Sequence, residues 1–364
     1  MVENDSKKIY SLTYSFVIFT SFLALFIGEG THLMYNEGKN DTLISAIIGF
    51  VLSFALFSIT KWIINKNEKE DLFELNKSVF GKTFGNILNI VLWIGFFIVA
   101  TVILYSLADF FNTEYLPETS INYLKALVLL PIVYVATKEL PTIIKGNQIL
   151  SLISLGLIIF CFIGITDSFE IGNIEPLLNT SKASMSKNIL TYFILSSLPL
   201  SMLLITSKKN IKDSERLNKN ILKLFILSNV CVIAIIIGTI LTLGMEYIEI
   251  FRFPEYIALK QFSLFNILER IENILAMQYF FNNFGLLSLL FYFLIKLIPK
   301  TKFKNYYSIL VGIVQIVITD IFFNNTITFL EYVRKYFVWV IGICILIPIL
   351  LVFFKMLQKS KSNA

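Results

Sequence analysis

A carboxylate-rich cluster, Glu269-Arg270-Ile271-Glu272, opens a long apolar stretch that runs on to Ile298. Ionisable side chains are costly at or inside a bilayer, so they mark function or a specific structural bond. On a helix Glu269, Glu272, Asn273 and Ala276 recur at three- and four-residue spacing and share one face. Arg270 is turned about 100° from Glu269 and pairs poorly with Glu272 two residues on. Its partner lies elsewhere: another helix, lipid phosphate, or the 246–268 loop with Glu246, Glu249 and Glu255. The reading favoured for Glu269, Arg270 and Glu272 is structural and gating, an electrostatic clasp that pins the outer loop over the helix. Acid–base chemistry by the two glutamates finds no His, Asp or Ser at useful spacing, and no His-Glu-x-x-His metal motif occurs. The chain is read as a non-enzyme, with no cofactor and no metal.

Two other constellations could bind a ligand. The first apolar run carries Gly28-Glu29-Gly30-Thr31, and a later one carries Ser196-Ser197-Leu198-Pro199. Glycine permits a helix to unwind, and proline removes a donor and clashes with the preceding turn. Glu29 beside unwound carbonyls favours a ligand ammonium, a proton or a cation; the alternative is a solvated interfacial glutamate. His32, the one histidine, shares its face. Freed amides and hydroxyls around Pro199, with Ser201 below, suit a carboxylate; the alternative is serines bonding back to their own helix. Tyr105 and Tyr192 are candidate gates, although packing is the commoner use of 16 tyrosines. Gln278, Asn282 and Asn283 would line a cavity or cross-bond helices.

The elements that position these residues follow from composition. The chain is 56% hydrophobic and only 15% charged, with 35 Phe, whereas a soluble domain is about a quarter charged. Apolar residues arrive in ten runs, roughly 10–34, 42–65, 86–111, 121–138, 147–166, 187–206, 220–245, 267–298, 304–323 and 336–356, near the ~20 residues that a spanning helix needs. An all-α polytopic membrane protein is expected, a single domain over 1–364 with no soluble domain. The first run is too long for a cleavable signal peptide and no small-residue cleavage site follows it. Segment 65–85 reads as an interfacial amphipathic helix. The net charge of +6 follows the membrane and is no nucleic-acid footprint. With the N-terminus inside, the large basic clusters (Lys66 to Lys82, Lys208 to Lys219, Lys300 to Lys304, Lys359 and Lys361) share one side. Both termini are therefore expected to be cytoplasmic. Cys161, Cys231 and Cys344 sit in apolar runs as packing residues.

Ten helices divide as five plus five, and an odd half enters the bilayer inverted when repeated. That is the arithmetic of an inverted-repeat transporter, with repeats at about 10–166 and 187–356 and a broken first helix in each. Gly28-Glu29-Gly30 and the Ser-Pro segment occupy those two helices.

Several motifs then converge. Val79-Phe80-Gly81-Lys82, Leu116-Pro117-Glu118-Thr119, Asn173-Ile174-Glu175-Pro176-Leu177, Phe253-Pro254 and Leu268-Glu269-Arg270-Ile271-Glu272 together resemble the B-subunit family of spore nutrient-germinant receptors (GerAB-type permeases), within the amino acid–polyamine–organocation superfamily. The resemblance covers nearly the whole chain. It implies a fold like the leucine transporter's, with a small-nutrient pocket between helices 1, 3, 6 and 8, an amino acid foremost. It also implies assembly with A and C subunits in the inner membrane of a bacterial spore. There the B subunit would sense the nutrient and trigger germination; a proton- or sodium-coupled amino-acid symporter is the alternative. Two departures stand out. Glu29 lies where the family has small or neutral residues, which bears on ligand class, and Ser120 stands where it often has proline.

Overall fold

The structure, a computed structural model, describes residues 8–260, 272–297 and 304–362. Helix occupies most of the described part of every expected apolar run. Helix α1 (Ser11–Leu25) is buried at every residue but Leu12. Apolar all round, it belongs at the centre of the molecule. A five-residue turn joins it to α2 (Thr31–Gly38), after which α3 (Thr42–Lys66) returns. The chain continues through α4 (Leu72–Phe80), α5 (Lys82–Glu114), α6 (Ile121–Ala136) and α7 (Leu140–Ile165). Next come α8 (Lys182–Leu195), α9 (Ser197–Met202) and α10 (Ser214–Leu243). Two short loop helices, α11 (Met245–Ile248) and α12 (Pro254–Lys260), lead towards α13 (Glu272–Lys296) and α14 (Lys304–Phe322). The last stretch runs from α15 (Thr326–Tyr332) through α16 (Val338–Ile341) to α17 (Ile347–Ser362), with π-helical turns between them.

Among the described residues, six stretches are long and apolar enough to cross a membrane; Ser11–Lys66 counts as one, and Ile121–Ala136 and Tyr306–Phe322 are shorter apolar helices. Around the central α1 pack α10, α7, α13 and α9. The outer faces of the surrounding helices are apolar, with Val51, Ile90, Leu127, Leu130 and Ile163 exposed. In water such a surface would aggregate; against acyl chains it is at home.

The amphipathic helix expected within 65–85 is α4. Its start is fixed by a capping box: Asp71 accepts from the amides of Phe73 and Glu74, and Glu74 accepts from the amide of Asp71. At the same end of the molecule the chain is tied across itself. Strands β1 (Ile9–Tyr10) and β2 (Ile211–Lys212) pair in parallel. Asp213 accepts from both the amide and the hydroxyl of Ser11, each at 2.9 Å. Lys296 pairs with Asp71 at 2.7 Å and donates to the carbonyl of Ile205 at 3.1 Å. These bonds close that end beneath α1.

The break in helix 1 is present, whereas the one expected in helix 6 is smaller than its sequence implies. Between α8 and α9 only Ser196 interrupts the assigned helix, and its backbone stays right-handed (φ −60°, ψ −19°). Pro199 falls in the first turn of α9, where a helix has unpaired amides anyway and a missing N–H costs little. Ser196, Ser197 and Ser201 each donate to a carbonyl of their own segment, those of Tyr192, Ile194 and Leu198.

Candidate functional site

The site grows from one strained turn. Ile27 is extended (φ −71°, ψ 124°) and Gly28 adopts φ +89°, a region that side chains with a Cβ rarely enter. The ring of Tyr279 from α13 closes on the same position: a Cβ on Gly28 would lie 3.0 Å from it. Gly28 therefore serves both the turn and the close approach. The turn swings Glu29 into the interior, where it is 2% exposed.

A charged cluster has formed there from five separate parts of the chain. Arg252, just before α12, places Nη2 2.5 Å from Glu29 Oε1. Ser106 on α5 donates to the same oxygen. Its only proton is thus spent, so Tyr279 OH donates to Ser106 Oγ, at 2.7 Å. One turn on from Ser106, Asp109 holds Oδ2 3.7 Å from Arg252 Nε and accepts from Thr326 at 2.7 Å through Oδ1. The guanidinium lies over Phe253, at 4.5 Å, and Phe329, at 5.5 Å, which suits a weakly hydrated planar cation. With both carboxylates ionised the cluster has two negative charges to one positive. Among the described residues, Glu29 Oε2, Asp109 Oδ2, Arg252 Nε and Arg252 Nη1 make no hydrogen bond. Buried groups of this kind are costly unless partnered, so the arrangement has two acceptors and two donors to offer.

Of the residues singled out from sequence, Gly28, Glu29, Gly30 and Thr31 stand at this turn. One oxygen of Glu29 is engaged by a cation of the chain itself, and the other makes no hydrogen bond among the described residues. Tyr105 is buried with Phe329 at 4.6 Å and Phe323 at 5.3 Å; one aromatic ring separates it from Arg252. Tyr192 packs at 4.6 Å on Phe26, in the same turn, and donates to Asn229 at 2.6 Å. Ser196 accepts from Ser53 at 3.0 Å, and Ser197 and Pro199 sit within α9. His32 lies 3.2 Å from the Asn36 amide and does not join Glu29. Glu272 begins α13 half-buried; Glu269 and Arg270 lie outside the described residues. Asn282 and Gln278 are buried with side-chain atoms that make no hydrogen bond among the described residues, and Asn283 donates to the carbonyl of Tyr279.

Sequence reading missed Arg252, Ser106, Asp109, Tyr279 and Thr326. Asp109 gave a signal, being the one charged residue in run 86–111, with Ser106 three residues before it on the same face. Arg252 gave a weaker one as a basic residue in a loop otherwise rich in Glu.

A family model described as "Spore germination protein" matches residues 6–330. No curated protein sequence matches the chain. Among solved structures, a substrate-bound, outward-open Na+-coupled sialic acid symporter aligns with a TM-score of 0.59 at 12% identity, over 93% of this chain and 79% of the other. MhsT in complex with L-phenylalanine aligns with a TM-score of 0.56 at 14% identity, over 94% and 98%. At such identities the likeness is one of fold, that of leucine-transporter-like proteins.

Proposed function

The chain belongs to the spore germination protein family, and from that premise we propose that it is the transporter-fold subunit of a nutrient-germinant receptor. In this reading it is a multi-pass membrane protein of ten spanning helices, an inverted five-plus-five repeat with both termini cytoplasmic. It resides in the spore inner membrane with A and C subunits. It binds a free amino acid at the helix 1 break and performs no chemistry on it. The observation that carries the reading is the buried Glu29–Arg252–Asp109 cluster. Its spare carboxylate oxygens suit an ammonium, and the spare Arg252 donors suit a carboxylate, the two charged groups of a free amino acid. Gly28, Gly30 and Thr31 shape the wall, and Tyr105 and Tyr192 flank it. Ser196, Ser197 and Pro199 lie behind Tyr192, towards α3. Glu269, Arg270 and Glu272 act as a clasp on the loop that carries Arg252.

Binding can bias a receptor only through different affinity for its two states. Arg252 supplies that difference here, because a ligand that recruits its guanidinium loosens the loop's hold on Glu29. The test is a thermal-shift screen of amino acids on the purified protein and its complex, since a ligand selective for the native state raises the unfolding temperature. Stabilisation by a subset of amino acids supports the reading; indifference to all of them rejects it. The fold shared with a sodium-coupled symporter favours a second reading, an amino-acid permease. Sodium- or proton-driven accumulation in proteoliposomes would establish that reading, and binding without uptake would establish the receptor.

A further inference from the structure

Beside the charged cluster lies a second buried feature. A cavity of about 30 Å³ is lined by α7, α10, α12 and α13. Its walls are mostly apolar, Ile165 and Leu275 among them, and its polar groups are Glu255, Thr239 and Gln278. Glu255 is 4% exposed and Gln278 1%. Among the described residues, Glu255 Oε1 and Gln278 Nε2 make no hydrogen bond, although both are buried. Thr239 spends its proton on the carbonyl of Ile235 at 2.8 Å, leaving it an acceptor.

We propose that Glu255 is a proton-binding site that latches the loop helix α12 over the helix 1 break. The volume holds one or two waters and no organic molecule. The donor set, one carboxyl and two neutral groups, falls short of the six or so oxygens that hard cations gather, and no His/Cys/Asp/Glu group able to hold a metal occurs among the described residues. A proton, carried in by water, is what remains. A neutral carboxyl seats α12 without the cost of a buried anion, and ionisation makes that seat unfavourable.

Among the described residues, few charged and titratable groups face Glu255. Arg252 and Glu29 act on it from the cluster with opposite sign. Tyr35 approaches from α2, with the Thr31 hydroxyl beside the carboxyl. Cys161 of α7 lines the same cavity, α10 adds only Thr239, and α13 adds the neutral Gln278. Burial pushes Glu255 up to about 7, against the pull of Thr31 and Arg252. Since α12 starts directly after Arg252 and Phe253, a proton on Glu255 holds the guanidinium over Glu29, and its loss releases both.

The inference does not require the nutrient reading, because the proton site needs no ligand. Its test is infrared difference spectroscopy of the purified full chain in nanodiscs, between about pH 6 and about pH 8.5, the range that brackets a titration near neutrality. The expected result is a protonated-carboxyl carbonyl band that disappears on raising the pH. The band should be absent in Glu255→Gln and retained in Asp109→Asn. Glu255→Asp should shift its frequency and midpoint, which keeps the test decisive should the Gln variant fail to fold. A titrating band that persists in Glu255→Gln, is unmoved in Glu255→Asp, or is missing from the wild type overturns the proposal. A failed nutrient screen leaves it standing.

Discussion

The buried pair of Glu29 with Arg252 holds the centre of the site. Breaking a buried ion pair strands the partner charge, which is why one-sided changes cost more than the pair is worth. Glu29→Gln leaves Arg252 with Asp109, at 3.7 Å, as its remaining ion-pair partner among the described residues. A double-mutant cycle of Glu29→Gln with Arg252→Gln, read by unfolding of the purified protein, should give a coupling of about 1–3 kcal/mol. Strict additivity would show that the pair does not hold the site together. Gly28→Ala forces a Cβ into φ +89° and towards the Tyr279 ring. It should cost about 1–2 kcal/mol from the backbone alone, seen as a lowered unfolding temperature. Glycine was legible here because two glycines and an acid interrupt an apolar run. The partner was not legible: Glu29 and Arg252 stand 223 residues apart, and no local spacing joins them.

The element that matters most is the loop helix α12. It is tied to α5 twice, by Arg252 in the interior and at its exposed end by Lys260 with Glu114 at 2.8 Å. Lys260 is 42% exposed and Glu114 12%, so solvent screens the pair in part and Lys260→Ala should change stability by about 1 kcal/mol or less, against a far larger loss for Arg252→Gln. Equal effects in a thermal-unfolding comparison would contradict the interior latch. Glu255 adds a pH dependence with a definite sign. Its value is raised in the folded protein to about 7, against about 4.3 for the unfolded chain. The stability it contributes is therefore complete below about pH 4.3 and lost as pH rises through about 7. Unfolding temperature should fall over that interval in the wild type, and Glu255→Gln should flatten the fall. Helix 6 shows the limit of reading breaks from composition. Ser196-Ser197-Leu198-Pro199 looks as disruptive as Gly28-Glu29-Gly30, yet Pro199 enters the first turn of α9 and the serines bond within their own segment. Whether a proline breaks a helix or begins one depends on where the helix restarts, and tertiary packing sets that.

Across the whole molecule, α1 is the axis on which both ends close. At one end Asp213 grips Ser11 while Lys296 grips Asp71; at the other, Arg252 grips Glu29. The apolar blocks and the amphipathic α4 were readable because lipid and core impose strong local patterns. The clustering of Ser106, Asp109, Arg252, Tyr279 and Thr326 was not, because it exists only once α5, α13, α15 and the segment before α12 have packed. A closed state of this kind responds to a ligand only insofar as the ligand favours one arrangement of these grips. The most direct test of the zwitterion site is calorimetric titration of the purified protein with the amino acid that stabilises it, its N-acetyl derivative and its carboxamide, each also on Glu29→Gln. The expected result is loss of at least about tenfold in affinity, roughly 1.4 kcal/mol, when either charge is removed from the ligand, with Glu29→Gln no longer distinguishing amine from N-acetyl. Equal affinity for all three compounds, or wild-type discrimination retained in Glu29→Gln, would contradict it.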